Sequence, residues 1–260
     1  VRQCGIDHNL VSQLEKEKKL YQGVTYAHFD IAGYDNQGKA WYTVKDRFTD
    51  KFQDVPRQKM TLYTHNLDGA HIIPCIPAHV IHDLVRSNQT LAYQNVIMVG
   101  YTPQKQPYYA SMRAMTGKYK VDVTGSRKDY GFCINENADS NTVCVFESPI
   151  EAMSYWSMCR EFHSPRLNCP MISLGGVSTS YALKQFVQDH PKIQNIITGL
   201  NIDTVQNGHT IAAGQLATDR IRREFGSKYR ISTHKPNLND WNDVLVNYRK
   251  DLAAITQQLQ

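Results

Sequence analysis

Thr142-Val-Cys-Val-Phe-Glu147, Met171-Ile-Ser-Leu-Gly-Gly176 and Asn195-Ile-Ile-Thr-Gly-Leu-Asn-Ile-Asp203 decide the reading of this chain. Each is a short apolar run that stops abruptly, the first at a carboxylate, the second at a glycine pair, the third at Asn201 and Asp203. Runs of this length, bounded by turn residues, read as strands buried on both faces. Between them the spacing predicts helices. One covers Pro149 to Arg160, with Pro149 at the first turn, where its missing N–H is no loss. A second covers Ser178 to His190, with Ser178 as the expected N-cap, and a third covers Ile211 to Phe225. Tyr229-Arg-Ile-Ser-Thr233 reads as a fourth short strand, followed by Pro236-Asn-Leu-Asn-Asp-Trp-Asn-Asp243 and a final helix. Strands alternating with helices imply an α/β fold: a parallel sheet with helices on both faces.

In such a sheet, ligands collect at the carboxyl ends of the strands. Glu147, Gly175 with Gly176, and Asn201 with Asp203 all fall there. Phosphoryl transfer needs a divalent metal to neutralise phosphate charge and a positioned group to move a proton. Mg2+ takes carboxylate, carbonyl and water oxygens, so acidic residues on neighbouring strand ends are its natural supply. The glycine pair lets backbone approach a phosphate closely.

Working outward, Asn135 to Asn141 is polar and turn-rich, and the domain boundary is expected there, giving a domain over 141–260. Residues 1–71 read as a helix-hairpin region and 72–140 as a second α+β region. The two share an order of signals. Cys4 to His8 matches Cys75 to His79, Leu20-Tyr-Gln22 matches Ala92-Tyr-Gln94, and Gly33-Tyr34 matches Gly100-Tyr101. A degenerate duplication fits, and so does chance similarity of two helix-hairpin units. Thr49 to His71 carries few periodic apolar positions and reads as a connecting loop or insertion.

Composition bounds the class without naming the function. With 260 residues, 41% hydrophobic and 20% charged, the chain can bury one large or two modest cores. No apolar run approaches the ~20 residues that span a bilayer, and no signal peptide is visible, so a cytoplasmic protein without a membrane partner is expected. Opening at Val1 without an initiator Met fits a fragment of a longer protein. A formal charge of +5 tolerates a polyanion without demonstrating one. Six cysteines lack any Cys-x-x-Cys pair, which argues for reduced thiols and against a zinc site in this stretch.

Taken in order, these segments resemble the Toprim family, the Mg2+-and-nucleic-acid module of primases, topoisomerases and some nucleases. The resemblance rests on Val145 to Ser154, on Ser173 to Val177, on the strand leading into Asn201-Ile-Asp203, and on Pro236 to Asp243. The last is similar to the closing motif of a Toprim subgroup found in plasmid and conjugative-element proteins. Pro77 to Phe132 is similar to the domain that precedes Toprim there, through Tyr93-Gln94, Gly100-Tyr101, Ala110 to Arg113 and Gly125-Ser126 through Gly131-Phe132. The resemblance implies Glu147 as general acid/base and, in primase-type members, a metal ligand, with Asp203 as a catalytic Mg2+ (or Mn2+) ligand. Four departures are visible. The family's Asp-x-Asp is here Asn201-Ile-Asp203, an oxygen donor without its charge. Thr204 to Thr210 looks like an insertion that displaces the family's glycine, with Gly208 as the nearest candidate. Glu151 stands where a shorter acid is usual, and Asn239 replaces a Lys before Asp240.

The function implied is Mg2+-dependent phosphoryl transfer on single-stranded DNA during plasmid transfer or replication, with plasmid transfer or replication proteins as partners. A degenerate domain that only binds DNA or a partner fits the Asn201 substitution, and a Toprim nuclease fits the same metal site. Gly175, Gly176, Arg113, Lys118, Lys120, Arg127 and Lys128 are the candidate phosphate or nucleic-acid contacts, the basic ones interleaved with Tyr119 and Tyr130. A solvated loop face is the alternative for that strip. Glu151 and Asp240 are candidate supports of the site, and Asp243 reads as a helix cap. Arg220, Arg222 and Arg223 read as complements to a helix dipole.

Overall fold

The computed structural model describes residues 4–34, 40–45, 52–55, 59–61, 64–65, 71–72, 75–77, 91–114, 120–123, 125–201, 204–206, 209–211 and 213–258. The backbone packs as two units, one of residues 21–97 with 110–126, the other of residues 1–20 with 98–109 and 127–260.

The first unit holds most of a six-stranded sheet and two two-stranded ladders. Strands β1 (Leu20–Tyr34) and β2 (Ala40–Lys45) form an antiparallel hairpin with a register shift between Ile31 and Gly33. β3 (Phe52–Val55) pairs with β2. Then come β4 (Lys59–Thr61), β5 (Thr64–His65), β6 (His71–Ile72) and β7 (Cys75–Pro77), which pair as β4 with β7 and β5 with β6. The stretch from Thr49 to His71, expected as loop, therefore contains strands. They run two to four residues, too short for a period-two pattern to register. β8 (Leu91–Tyr101), β9 (Pro107–Ala114) and β10 (Lys120–Asp122) complete the sheet in the order β10-β9-β8-β1-β2-β3, so the two hairpins lie side by side at its centre. The helical stretch expected after His79 lies outside the described residues.

The other unit is the α/β layer structure that the alternating pattern predicts. β11 (Cys133–Ile134), β12 (Thr142–Phe146), β13 (Met171–Ser173), β14 (Asn195–Thr198) and β17 (Arg230–Thr233) form one sheet in the order β11-β13-β12-β14-β17. All its pairings are parallel except that of the edge strand β11. The alternation of β12 sets the two faces. Val143 and Val145 belong to a core with Leu183, Phe186 and Val187 of α3 (Tyr181–Asp189) and with Ala217, Ile221 and Phe225 of α4 (Ala213–Phe225). Phe146 packs instead at a tilt against Tyr155 of α2 (Pro149–Glu161), ring centroids 4.9 Å apart, and Tyr155 meets Trp241 of α5 (Trp241–Gln258) at 4.7 Å. Val143, Cys144 and Val145 are wholly buried, and side chains of this kind each contribute roughly 1.5–3 kcal/mol on burial. The unit also carries α1 (His8–Lys16), whose N-cap Asp7 accepts the amides of Asn9 and Leu10 at 2.8 and 3.2 Å.

Two details differ from expectation. α3 begins at Tyr181 with Ser180 as N-cap, and the Ser180 hydroxyl donates to Glu224 rather than receiving a helix amide. Thr204 to Ile211 folds as a hairpin of β15 (Thr204–Gln206) and β16 (His209–Ile211), so α4 starts at Ala213 and not at Ile211. Both depend on partners distant in sequence or on a turn that local periodicity does not register.

Four non-glycine residues among those described have left-handed backbones: Lys18, Lys105, Asn135 and His163. That conformation costs an L-residue with a full side chain roughly 1–2 kcal/mol, and Asn bears it most readily. Among the described residues, no helix is long and apolar enough to cross a membrane.

Candidate metal and phosphate site

The carboxyl ends of β12, β13 and β14 are tied together by a short chain of hydrogen bonds. Glu147 follows β12 directly. Its backbone carbonyl accepts the Gly176 amide at 2.8 Å and the Ser173 hydroxyl at 3.3 Å, while Ser173 Oγ accepts the Gly175 amide at 3.1 Å. The loop after β13 is thereby stitched to the base of Glu147. Gly175 and Gly176 both have positive φ, +66° and +110°. A Cβ on Gly175 would lie 2.8 Å from the Tyr109 hydroxyl, so this turn needs glycine for conformation and for space.

Across the sheet, Asn201 Nδ2 donates to Glu147 Oε2 at 3.0 Å. The other amide atom, Asn201 Oδ1, is buried with no hydrogen-bond partner among the described residues. A buried acceptor without a donor is costly unless a ligand satisfies it. Glu147 and Asn201 together present carboxylate and amide oxygens at adjacent strand ends, the hard donor set that Mg2+ or Mn2+ takes. The residues present therefore fit a divalent cation, with Oδ1 of Asn201 as the atom it would satisfy. Asp203 lies outside the described residues. Among the described residues no group of three His, Cys, Asp or Glu side chains is gathered for a metal.

Two basic side chains reach the glycine loop. Lys128 Nζ donates to the Gly175 carbonyl. Arg220 Nη2 donates to the Val177 carbonyl at 2.5 Å, and its Nε is buried without a partner among the described residues. Thr179 Oγ1, two residues further along this loop, is buried and unpartnered in the same sense. Arg220 thus has a second position to fill beside the helix-dipole role expected of it. Arg127 lies over the Tyr108 ring at 5.0 Å and pairs with Asp129 at 3.5 Å. In the other unit, Arg113 and Lys120 are cross-strand partners of β9 and β10, so two like charges stand side by side. Lys118 lies outside the described residues.

The two candidate supports have structural work in this arrangement. Ser148 caps α2, its hydroxyl accepting the Glu151 amide at 3.4 Å and donating to Glu151 Oε1 at 2.8 Å. Glu151 is only 3% exposed. Asp240 occupies the cap position of α5, accepting the Asp243 amide at 2.7 Å. The capping carboxylate is thus Asp240 and not Asp243, because only the residue preceding the first turn can receive that amide.

The closing segment acts as a brace. Trp241 Nε1 donates to the Gly199 carbonyl at 3.0 Å, fixing the chain two residues before Asn201. Beside it, Tyr155 Oη and His234 Nδ1 are 2.8 Å apart. Burial first, and then the nearby Arg166, hold the His234 pKa below its usual value. Gly214, at the start of α4, completes the back of the site, since a Cβ there would sit 2.3 Å from the Asn201 carbonyl oxygen. Gly208, the glycine expected close behind Asn201 and Asp203, lies outside the described residues. The hairpin of β15 and β16 separates Gly214 from Asn201 in sequence but not in space, and the small-residue run Ala212-Ala213-Gly214 was the available signal.

Residues 144–245 match the Toprim-like family. This stretch is a Toprim-like domain. Among solved structures, the primase fragment of the bacteriophage T7 primase-helicase protein aligns at 14% identity with a TM-score of 0.44, covering 65% of this chain and 64% of that one. This chain therefore spans just under two thirds of that fragment. The DnaG catalytic core aligns at 11% identity with a TM-score of 0.45, over 99% of this chain and 70% of its own. Among curated proteins, none matches the sequence. Within the Toprim-like domain, the loops that follow β12, β13 and β14 supply Glu147, the glycine pair and Asn201.

Proposed function

We propose that this chain is a primase-like protein that works on single-stranded DNA through a divalent cation, Mg2+ or Mn2+, held by Glu147, Asn201 and Asp203. The observation that carries the reading is the contact of Glu147 with Asn201 at neighbouring strand ends of a Toprim-like domain, with the Asn201 Oδ1 acceptor buried and without a partner among the described residues. A bound cation supplies charge neutralisation to the phosphate under attack. Glu147 Oε2 is the atom placed to take or return a proton, with Asn201 Nδ2 orienting it. Gly175 and Gly176 leave room for a phosphate to approach the backbone, with Lys128 and Arg220 on the same loop to offset its charge. Arg113, Lys118, Lys120 and Arg127 supply backbone-phosphate contacts elsewhere on the chain, and Glu151 and Asp240 support the site through the helix first turns they order.

The closing motif Pro236 to Asp243 and the region from Pro77 to Phe132 carry the resemblance to proteins of plasmids and conjugative elements. We therefore assign the chain to cytoplasmic strand handling during transfer or replication of such an element, alongside its transfer or replication proteins. One observation favours a second reading. The Asn201 amide already occupies Glu147, which suits a domain that binds nucleic acid and catalyses nothing. Primer-synthesis and nicking assays on single-stranded DNA with Mg2+ or Mn2+, comparing wild type with Glu147→Gln, separate the readings. Metal-dependent product lost in the variant supports chemistry, with nicked product alone indicating a nuclease. Salt-sensitive DNA binding that ignores both chelator and the variant supports binding alone.

A further inference from the structure

A cavity of about 720 Å3 lies at the amino-terminal end of β13, the opposite end of the strands from Glu147. Its wall includes Asn135, which directly follows β11, and Asn168, which closes the 3-10 turn before β13. Four lysines, Lys16, Lys18, Lys19 and Lys105, line it against two acids, Glu17 and Glu136. The acids are shared by two of those lysines. Lys19 lies 3.3 Å from Glu17 and 3.7 Å from Glu136, and Lys105 lies 3.7 Å from Glu136. Among the described residues no carboxylate pairs with Lys16 or Lys18, so the wall keeps an excess of two positive charges (four lysines less two glutamates).

The backbone makes the case sharper. Three of the four left-handed non-glycine residues among those described, Lys18, Lys105 and Asn135, belong to this one wall. Lys18 follows the last turn of α1, and Lys105 lies in the turn between β8 and β9, both places where glycine would be the unstrained choice. The strained conformations are held in place. Tyr101 Oη donates to the Lys18 carbonyl at 2.5 Å, the Lys105 amide donates to the Thr102 carbonyl at 2.9 Å, and Asn135 Nδ2 donates to the Leu167 carbonyl at 2.7 Å. Complementing the dipole of α1 accounts for Lys16 and Lys18 but not for Lys105, which is on no helix. Ammonium groups carried at two positions where the backbone disfavours any side chain indicate that the charge is wanted there.

We propose that this cavity is a second anion site, taking a phosphate-bearing ligand, either consecutive phosphates of a nucleic-acid strand or a free nucleoside polyphosphate. It is independent of the metal site and needs no divalent ion. Lys18→Gly and Lys105→Gly, singly and together, remove the charge and at the same time relieve the backbone, so they separate binding from folding. Lys16→Gln, at an exposed helical position, is a further variant that leaves the backbone alone. The experiment uses the full chain in chelator. Inorganic tripolyphosphate is titrated by calorimetry, a fluorescein-labelled oligothymidylate by anisotropy across salt concentrations, and melting temperature is read in parallel.

The expected result is an affinity loss of about tenfold or more in the double glycine variant, without a lower melting temperature. For the strand, the log–log salt slope should fall by about 0.7 per lysine removed. Loss for the strand alone identifies backbone phosphates as the ligand, and loss for tripolyphosphate alone identifies a nucleotide. Affinity unchanged for both probes in the double variant and in Lys16→Gln overturns the proposal, as does a wild type that binds neither probe in chelator.

Discussion

Replacing Asn201 by Asp adds a negative charge beside Glu147, and the structure predicts a double-edged outcome. Asn201 Nδ2 stands 3.0 Å from Glu147 Oε2 and donates to it. In Asn201→Asp that donor becomes a carboxylate oxygen at about the same distance. Two unit charges so placed repel by about 5 kcal/mol at an effective dielectric near 20, an upper bound because both residues are partly solvated. The pair avoids most of this by retaining a proton, as carboxylates that share a site do. The net loss of metal-free stability should then be near that of a hydrogen bond to a charged group, about 1.5–3 kcal/mol. The pH dependence has a definite sign. The shared proton raises a carboxyl pKa in the folded state above its unfolded value, so the deficit is full above that raised pKa and recovers as pH falls through it toward the unfolded value. A divalent cation removes the repulsion, so metal affinity should rise tenfold or more, about 1.4 kcal/mol or more. Urea unfolding of both proteins at neutral and mildly acidic pH, with and without Mn2+, measures all three effects. Equal metal-free stability and equal Mn2+ affinity would refute the placement of Asn201 against Glu147.

Other perturbations reach the same site from behind. Gly214→Ala puts a Cβ 2.3 Å from the Asn201 carbonyl oxygen, so it should cost about 1–3 kcal/mol of stability and weaken Mn2+ binding. Chemical denaturation and calorimetry check this, and a loss seen in Gly208→Ala but not in Gly214→Ala contradicts it. His234 is held neutral by burial and by Arg166. Its depressed folded pKa contributes stability above the unfolded value of 6.5 that is lost as pH falls through the folded pKa. His234→Asn should therefore flatten that part of the stability–pH curve, and an unchanged curve would count against the assignment. At the other end of the sheet, a hydrogen bond from Cys144 lowers the Cys169 thiol to about 6. Cys169 should alkylate with a midpoint near that pH, and Cys144→Ala should shift the midpoint up. Mass spectrometry of iodoacetamide-treated protein reads both.

The parallel sheet was legible because its strands β12 and β13 are buried on both faces and end in abrupt polar punctuation. Thr142 to Phe146 came out residue for residue, and Glu147 and Asn201 fall at the carboxyl ends where α/β topology places ligands. What stayed hidden depends on contacts between residues far apart in the chain. Gly214 was masked by the β15–β16 hairpin, which disguises its spacing from Asn201. Arg220 looked like a dipole complement until its reach to Val177 was visible. Lys18 and Lys105 carry no sequence mark at all, since a left-handed backbone under a lysine is a property of the turn and not of the residue type. Conversely, Glu151 and Asp240 look like acidic site residues in sequence, and the hydrogen bonds show that each also does the ordinary job of ordering the first turn of a helix.

The decisive quantity is divalent-ion binding at the carboxyl end of β12. Mn2+ titrated into the full chain and followed by electron paramagnetic resonance should reveal a site in wild type that is lost in Glu147→Gln and in Asp203→Ala. Binding of equal strength in all three proteins, or none in wild type, would contradict the account and leave the Toprim-like domain as a binding scaffold.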